Sequence, residues 1–382
     1  MEMGKATMFG YNAQLALDTI LQKPVKGIPT WLIHIMEHSM IERVAGAADG
    51  EYKKNPEKVY LQMQYNAGVC MIDQYIPHNP LDMGEHGYES YEKGATTGSP
   101  EIVLDDIPIN SPDDVIEHIE AKVFPRLINE AKENLDEEKI ISEFISGEKR
   151  IQDIFGNDIL KVPYGCIRFP YLDYYAYGYV NYFSAYAMYP EVMEKCFSLM
   201  ADAFLPWNRA IARAYVAAKL PPLLRADHDI ADSRGILVGI KSLEKLWLPH
   251  FARAIEPLLK AGVKIIWHCD GNLMDLLPRL LDVGLVGFQG FQYEDGMDYE
   301  KICSWKTRDG DDLIIIAGVS VTRTLPFGTP AEVKKEIDRL VANGPKTGLF
   351  LGASSSMAPG IKWENIKTMI EGLNYYRVHG RK

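Results

Sequence analysis

The stretch VKIIWHCDGNLMD (263–275) decides how the chain is read. Its first residues are nearly all apolar, Val263, Ile265, Ile266 and Trp267, interrupted only by Lys264. A strand with one wet face alternates polar and apolar residues, whereas a strand of a parallel sheet is covered on both faces and does not. The run then ends on His268, Cys269 and Asp270, three side chains able to ligate a metal or move a proton, followed by Gly271 and Asn272. An α/β barrel accounts for a buried strand that stops at such a cluster, because its catalytic groups sit on the C-terminal face, after several strands at once.

Seven further runs bring the total to eight, the number that closes a parallel barrel: PTWLIHI (29–35), GVCMID (68–73), LKVPYGCIRF (160–169), PPLLRAD (221–227), GLVGFQ (284–289), LIIIAGV (313–319) and GLFLGA (348–353). Longer amphipathic segments separate most of them. After His268, Asn272 can cap a helix with Leu273, Leu276, Leu277, Leu280 and Leu281 on one stripe, and Gly284 can end it. The expected fold class is therefore α/β, a (β/α)8 TIM barrel, with residues 1–382 as one domain. A long insertion, 74–159, follows the second strand. It has a polar part bearing Gly and Pro (77–100), then charged helical segments from Pro112 to Lys139. Connections of this length serve as lids or interaction surfaces.

With 47% hydrophobic and 24% charged residues, the chain has the balance of an ordinary globular protein. A net charge of −11 without a basic stripe argues against a nucleic-acid partner. No apolar run reaches the length of a membrane span, and the first residues lack an export-type leader, so no membrane association and a cytoplasmic location are expected. Five scattered cysteines without a CxxC pair argue against a disulfide framework or a cysteine-rich zinc ribbon. GxGxxG, P-loop and GxSxG motifs are absent, which disfavours nucleotide-dependent transfer and serine hydrolysis.

The expected strand ends carry His34, Glu37, Asp73, Arg168, Asp227-His228-Asp229, His268-Cys269-Asp270, Gln289, Gln292 and Ser354. His268 and Asp270 lie two apart on a tight turn and can face one ion, with an oxygen from the Asp227–Asp229 segment as a third ligand. Such a set suits zinc at a catalytic site with an open position, or a harder ion such as Mn or Mg. The plainer alternative is that His268 and Asp270 bond each other and cap the next helix. His34, Glu37 and His38 match the H-x-x-E-H spacing of one metallopeptidase class. A strand is expected to begin after Pro29, however, which sets His34 at its end and His38 in the following helix. The match is then a coincidence, and His34 and Glu37 remain as pocket groups. Eight tyrosines fall between Tyr171 and Tyr189, enough to clamp a flat ring or a cationic methyl donor, although most also suit packing between helices.

Four segments, DIADSRGILVG (229–239), LLKAGVKIIWHCDGN (258–272), LLDVGLVGFQGFQ (280–292) and GASSSMAPGIKWENIKTMIE (352–371), together resemble the uroporphyrinogen decarboxylase superfamily. The resemblance runs from about residue 28 to the C-terminus. That superfamily holds decarboxylases and corrinoid-dependent methyltransferases. Its decarboxylases bind substrate carboxylates through an arginine-bearing N-terminal segment, and here PTWLIHIMEHSMIERVAG (29–46) has no arginine before Arg43. The chain looks more like the methyltransferase component of O-demethylase systems.

The resemblance implies transfer of the methyl group of a methoxylated aromatic compound to the Co(I) corrinoid of a partner protein. Thiol-using relatives hold zinc through His-x-Cys and a later Cys. Here Asp270 replaces the first cysteine, and Ala353-Ser354 stands in the neighbourhood of the second. The implied centre is an oxygen-rich divalent metal site, zinc by preference, on His268, Asp270 and Asp229. Those three, with Tyr175 as a general acid, form the implied catalytic set. His34, Glu37, Asp73, Arg168, Tyr177 and Gln289 form the implied substrate set. Transfer from a methyl-corrinoid to a small acceptor of the coenzyme M type, a decarboxylase, and a silent binding subunit are the alternatives. A homo-oligomer is compatible with all of them.

Overall fold

The computed structural model describes residues 9–83 and 102–381. Its central sheet is five-stranded and parallel, formed in spatial order by Leu349–Ala353, Ile314–Val319, Gly287–Gln289, Lys264–His268 and Leu223–Asp227. The shorter strands Met71–Ile72 and Leu160–Lys161 pair in parallel beside it. Isolated parallel bridges complete the circuit: Thr30 to Leu351, Trp31 to Met71, and Tyr164 to Arg225. The eight staves fall where the apolar runs lie, and the fold is of the TIM-barrel type.

Two staves are thinner than their sequences suggest. Within 160–169, Pro163 and Gly165 at φ +67° interrupt the ladder, so pairing survives only at Leu160–Lys161 and Tyr164. The first stave pairs through single bridges at Thr30, Trp31 and Ile35. After the fifth stave, Asn272 accepts the backbone N–H of Met274 at 3.1 Å and holds a turn rather than a helix start, while the α-helix itself is Leu277–Asp282, with Pro278 in its first turn.

Large side chains from the outward-facing positions fill the layer between staves and helices. Trp267 packs edge-on against Trp247 and Phe251, with Phe169 beside them. Helix Pro190–Ala218 packs against Leu248–Lys260, Phe124–Lys132 and Glu137–Phe155. The last two belong to the expected insertion, together with helix Pro112–His118 and a hairpin of Val103–Leu104 with Ile107–Pro108. Most of its expected polar part, 77–100, lies outside the described residues. Ser111 opens Pro112–His118 with a capping box closed by Asp114.

Close strand approach depends on glycine at two inward positions. A Cβ on Gly287 would lie 1.8 Å from the Ile314 carbonyl oxygen, and one on Gly318 would lie 2.1 Å from the Ala353 backbone. Neither obstacle is a side-chain tip that can swing aside. Gly287→Ala is therefore expected to force the sixth and seventh staves apart and to destabilise the protein by about 3 kcal/mol or more, read as a drop in the urea midpoint.

Candidate active site

Register determines which side chains share the barrel lumen. Asp227 is paired with His268, and His268 with Gln289, so the three project to one side of the sheet. Their neighbour Trp267 goes outward to the helices, which leaves the lumen to Asp227, His268 and Gln289. One step down the same face is Arg225, which is 5% exposed. Its Nε donates to Asp73 Oδ2 at 2.8 Å and its Nη1 to Gln289 Oε1 at 3.0 Å, and Nη1 lies 3.5 Å from Asp227 Oδ2. Trp31 Nε1 donates to the other Asp73 oxygen at 3.2 Å. The guanidinium lies 4.7 Å from the Tyr164 ring centroid, and the Tyr164 hydroxyl donates to Asp227 Oδ2.

Sequence reasoning gathered Asp73 and Gln289 but passed over Arg225 and Tyr164. A signal was available for the first. Within PPLLRAD, an arginine two residues before the strand end must be buried on a fully covered strand, and a buried guanidinium needs carboxylate partners.

At the end of the fifth stave the chain turns sharply. Gly271 takes φ +94°, and a Cβ there would meet the Asp232 carbonyl oxygen at 2.6 Å. Gly290, at φ +80°, leaves room for the His268 imidazole, since a Cβ would come within 2.5 Å of Nδ1. Four buried polar atoms in this region have no hydrogen-bond partner in the protein: His268 Nδ1, Asp270 Oδ1, Asp227 Oδ1 and Arg225 Nη2. Unsatisfied groups of this kind cost stability and are retained where they serve a ligand.

The implied metal triad is only partly assembled. Asp229 Oδ1 accepts the backbone N–H of Asp270 at 3.0 Å, and its Oδ2 lies 3.5 Å from the Tyr175 hydroxyl. Among the described residues, no three His, Cys, Asp or Glu side chains form a group able to hold a metal ion. Cys269 supplies no thiolate either: its Sγ faces the Asp270 carbonyl at 2.9 Å and the Ile230 N–H at 3.4 Å, and burial raises its pKa.

The remaining candidates divide. Tyr175 is 56% exposed and lies tilted against Tyr174, whose hydroxyl donates to the Asp229 carbonyl at 2.6 Å, so both stand beside the site. Tyr177 turns away and bonds His118 Nδ1 at 2.8 Å, with Asp105 on the other ring nitrogen at 3.0 Å. Arg168 lies 4.0 Å over the Trp207 ring on the helical layer. Glu37 precedes helix His38–Ala45 and accepts from Ser39 and from the Gly360 N–H, both at 2.8 Å. His34 is buried, with Nε2 3.0 Å from Asn79 Oδ1, and burial lowers its pKa to about 4. His34 and His38 do not share a helix, so no metallopeptidase pair forms.

Residues 172–376, more than half of the chain, match the family described as Uroporphyrinogen decarboxylase (URO-D). The chain belongs to that family. No curated protein sequence matches it. Among solved structures, a methyltransferase from Methanosarcina mazei superposes with a TM-score of 0.56 at 14% identity, covering 97% of this chain and 99% of the other. That likeness is one of fold. A B12-independent methionine synthase from Shewanella sp. W3-18-1, in complex with selenomethionine, reaches a TM-score of 0.38 at 13% identity, covering 61% of this chain and 65% of the other. No described helix is long and apolar enough to cross a membrane.

Electrostatics separate the acid from the histidines. Burial, the largest influence, raises the pKa of Asp270; Asp229 and Asp227 add to the rise, while His268 and Arg225 oppose it. A carboxyl with a raised folded pKa weakens the fold as the pH climbs from the ordinary value of 3.8 through that raised pKa, and the loss is complete above it. Asp270→Asn is accordingly expected to raise the melting temperature at neutral pH, with the gain fading as the pH falls through the raised pKa and absent below the ordinary Asp value of 3.8. His228 has the opposite sign. It accepts the Leu172 N–H at 2.9 Å through Nε2, and burial lowers its pKa from 6.5 to about 4. Its stabilising contribution is complete above pH 6.5 and is lost as the pH falls toward 4, on the order of 3 kcal/mol. A His228→Gln variant should show a shallower loss of melting temperature across that window.

Proposed function

We propose that the protein is a methyltransferase that takes the methyl group of a methoxylated aromatic compound and passes it to the Co(I) corrinoid of a partner protein. The observation that carries this reading is the pair of unpartnered buried atoms, His268 Nδ1 and Asp270 Oδ1, at the mouth of a barrel whose rim bears Tyr174 and Tyr175. The fold shared with the Methanosarcina mazei methyltransferase and membership of the family support it. A reduced corrinoid supplies the nucleophile that accepts the methyl group.

The chain's own task is to make the aryl oxygen leave. When the methyl–oxygen bond breaks, its electron pair stays on oxygen, and a phenolate is a poor leaving group unless that charge is met. Asp270, whose burial favours the protonated form, donates its proton to that oxygen, and the product departs as a neutral phenol. His268, beside it in the lumen, balances the carboxylate that results and returns a proton to it from solvent. Tyr175 flanks the ring, backed by the buried Tyr174. Proton transfer here takes the place of a Lewis acid, in keeping with a donor set that does not converge on one ion.

The alternatives have less support. A zinc-activated thiol acceptor would call for a thiolate ligand, and Cys269 is turned away and held as a thiol. A decarboxylase would need free arginines; Arg43 lies over the Trp363 ring, and Arg225 is already balanced by Asp73 and Asp227.

Anaerobic incubation with a reduced corrinoid carrier and a panel of methoxyarenes tests the reading, through methyl-Co(III) absorbance and phenol release. Both products should form, and Asp270→Asn should slow the reaction by about 100-fold or more, the scale of a lost general acid. A chelator should leave the rate unchanged. Stoichiometric zinc in active protein would instead mean that Asp229 leaves the Asp270 amide to complete a metal centre. Failure with every methoxyarene, together with demethylation of a preformed methyl-corrinoid by small acceptors, would reverse the assigned direction.

A further inference from the structure

A second chain of polar contacts lies outside the lumen, where the inserted region meets the tyrosine-rich rim. Helix Tyr174–Tyr177 has only four residues and no side-chain N-cap, too little for its backbone to hold it alone. Gly178, at φ +78° and ψ 148°, separates it from the next helix, Tyr179–Met188. Its order therefore rests on side-chain anchors at its two ends. At the first, the Tyr174 hydroxyl donates to the Asp229 carbonyl at 2.6 Å. At the last, the Tyr177 hydroxyl lies 2.8 Å from Nδ1 of the buried His118, whose Nε2 lies 3.0 Å from Asp105 Oδ2. With its proton on Nε2, the imidazole donates to Asp105 while accepting from Tyr177, so one tautomer meets both partners.

The far end of the chain is strained. Asp105 and Asp106 form the two-residue turn between Val103–Leu104 and Ile107–Pro108, and both have positive φ, +48° and +66°. Turns of this kind favour Asn-Gly or Asp-Gly, and a strained backbone persists where surrounding contacts compensate it. The contact of the Asp105 carboxylate with His118 is one that compensates. We infer that Asp105, His118 and Tyr177 form a positioning relay: the inserted hairpin, through His118, fixes the rim helix and so holds Tyr175 beside Asp229, whose Oδ2 is 3.5 Å from the Tyr175 hydroxyl. The relay itself touches neither substrate nor reacting atoms. The use made of Tyr175, flanking the substrate ring, rests on the methyl-transfer reading.

Hydrogen–deuterium exchange of the whole protein tests the relay with neither corrinoid nor methoxyarene. Tyr177→Phe and Asp105→Gly each remove one link, the second while relieving the strained turn. Each should speed exchange at the Ala176 and Tyr177 amides, which bond the Asp173 carbonyl at 3.2 and 3.4 Å, by about tenfold, the scale of a lost hydrogen bond. The staves Lys264–His268 and Ile314–Val319 should exchange as before. Asp105→Asn keeps an acceptor for His118 and tolerates positive φ, so it should retain the slow exchange. Asp105 is 56% exposed, so Asp105→Gly decides the point even where Tyr177→Phe does not fold. In the methyl-transfer assay both loosening variants should raise KM with kcat nearly kept, because the proton donor is untouched. Exchange that stays slow in Asp105→Gly, a rise shared equally by the staves, or loosening that leaves KM unmoved overturns the relay. Selective loosening in a protein that transfers no methyl group supports the relay and overturns the reaction alone.

Discussion

The buried ion pair between Arg225 and Asp73 is the constraint around which the lumen is organised. It joins the fourth stave to the end of the second, and through Nη1 reaches the sixth at Gln289, so one guanidinium ties three staves across the barrel. A charge placed where water cannot reach must be met by partners in good geometry, and losing one partner of such a pair typically costs ~3–5 kcal/mol. Trp31 donating to Asp73 and Tyr164 donating to Asp227 complete the arrangement. Side chains pinned in this way keep their rotamers, which a recognition surface needs if it is to discriminate by hydrogen bonding.

Above this floor the chemistry becomes less constrained. His268 and Asp270 stand at a turn whose shape depends on Gly271, with the imidazole filling the space that Gly290 leaves open. Both residues carry an atom without a partner, whereas Asp229 is spent on the backbone of Asp270 and on Tyr175. The contrast separates them: Asp229 shapes the turn, and His268 and Asp270 each keep a polar atom unpartnered. The same turn explains why Cys269, flanked by both, is chemically quiet, since alternation around it sends the thiol back into the protein.

The tyrosine-rich segment shows how one composition serves two purposes. Tyr174 and Tyr175 meet the site through Asp229, while Tyr177, two positions on, bonds His118 in a helix of the inserted region. A short helix, Tyr174–Tyr177, turns successive rings by about 100° each, so neighbouring tyrosines cannot all face the same cavity. Composition announced aromatic character near the mouth; helical rotation chose which rings look inward.

By itself the sequence determined the eight staves, because continuous apolar runs ending in polar clusters have few other uses, and it determined the family through motifs spread along the chain. His268, Asp270, Gln289 and Asp73 were legible as strand-end groups. Register and rotamer were not, since both are settled by contacts between residues far apart in the chain. The Arg225–Asp73 pair spans 152 residues, and Tyr164 reaches Asp227 across 63. Arg168, read as a strand-end group, follows a stave that stops early at Tyr164 and so packs on Trp207 instead. Only the closed barrel decided which polar atoms share a lumen and which of them remain without a partner, because hydrogen-bond satisfaction belongs to the assembled interior and not to any one segment.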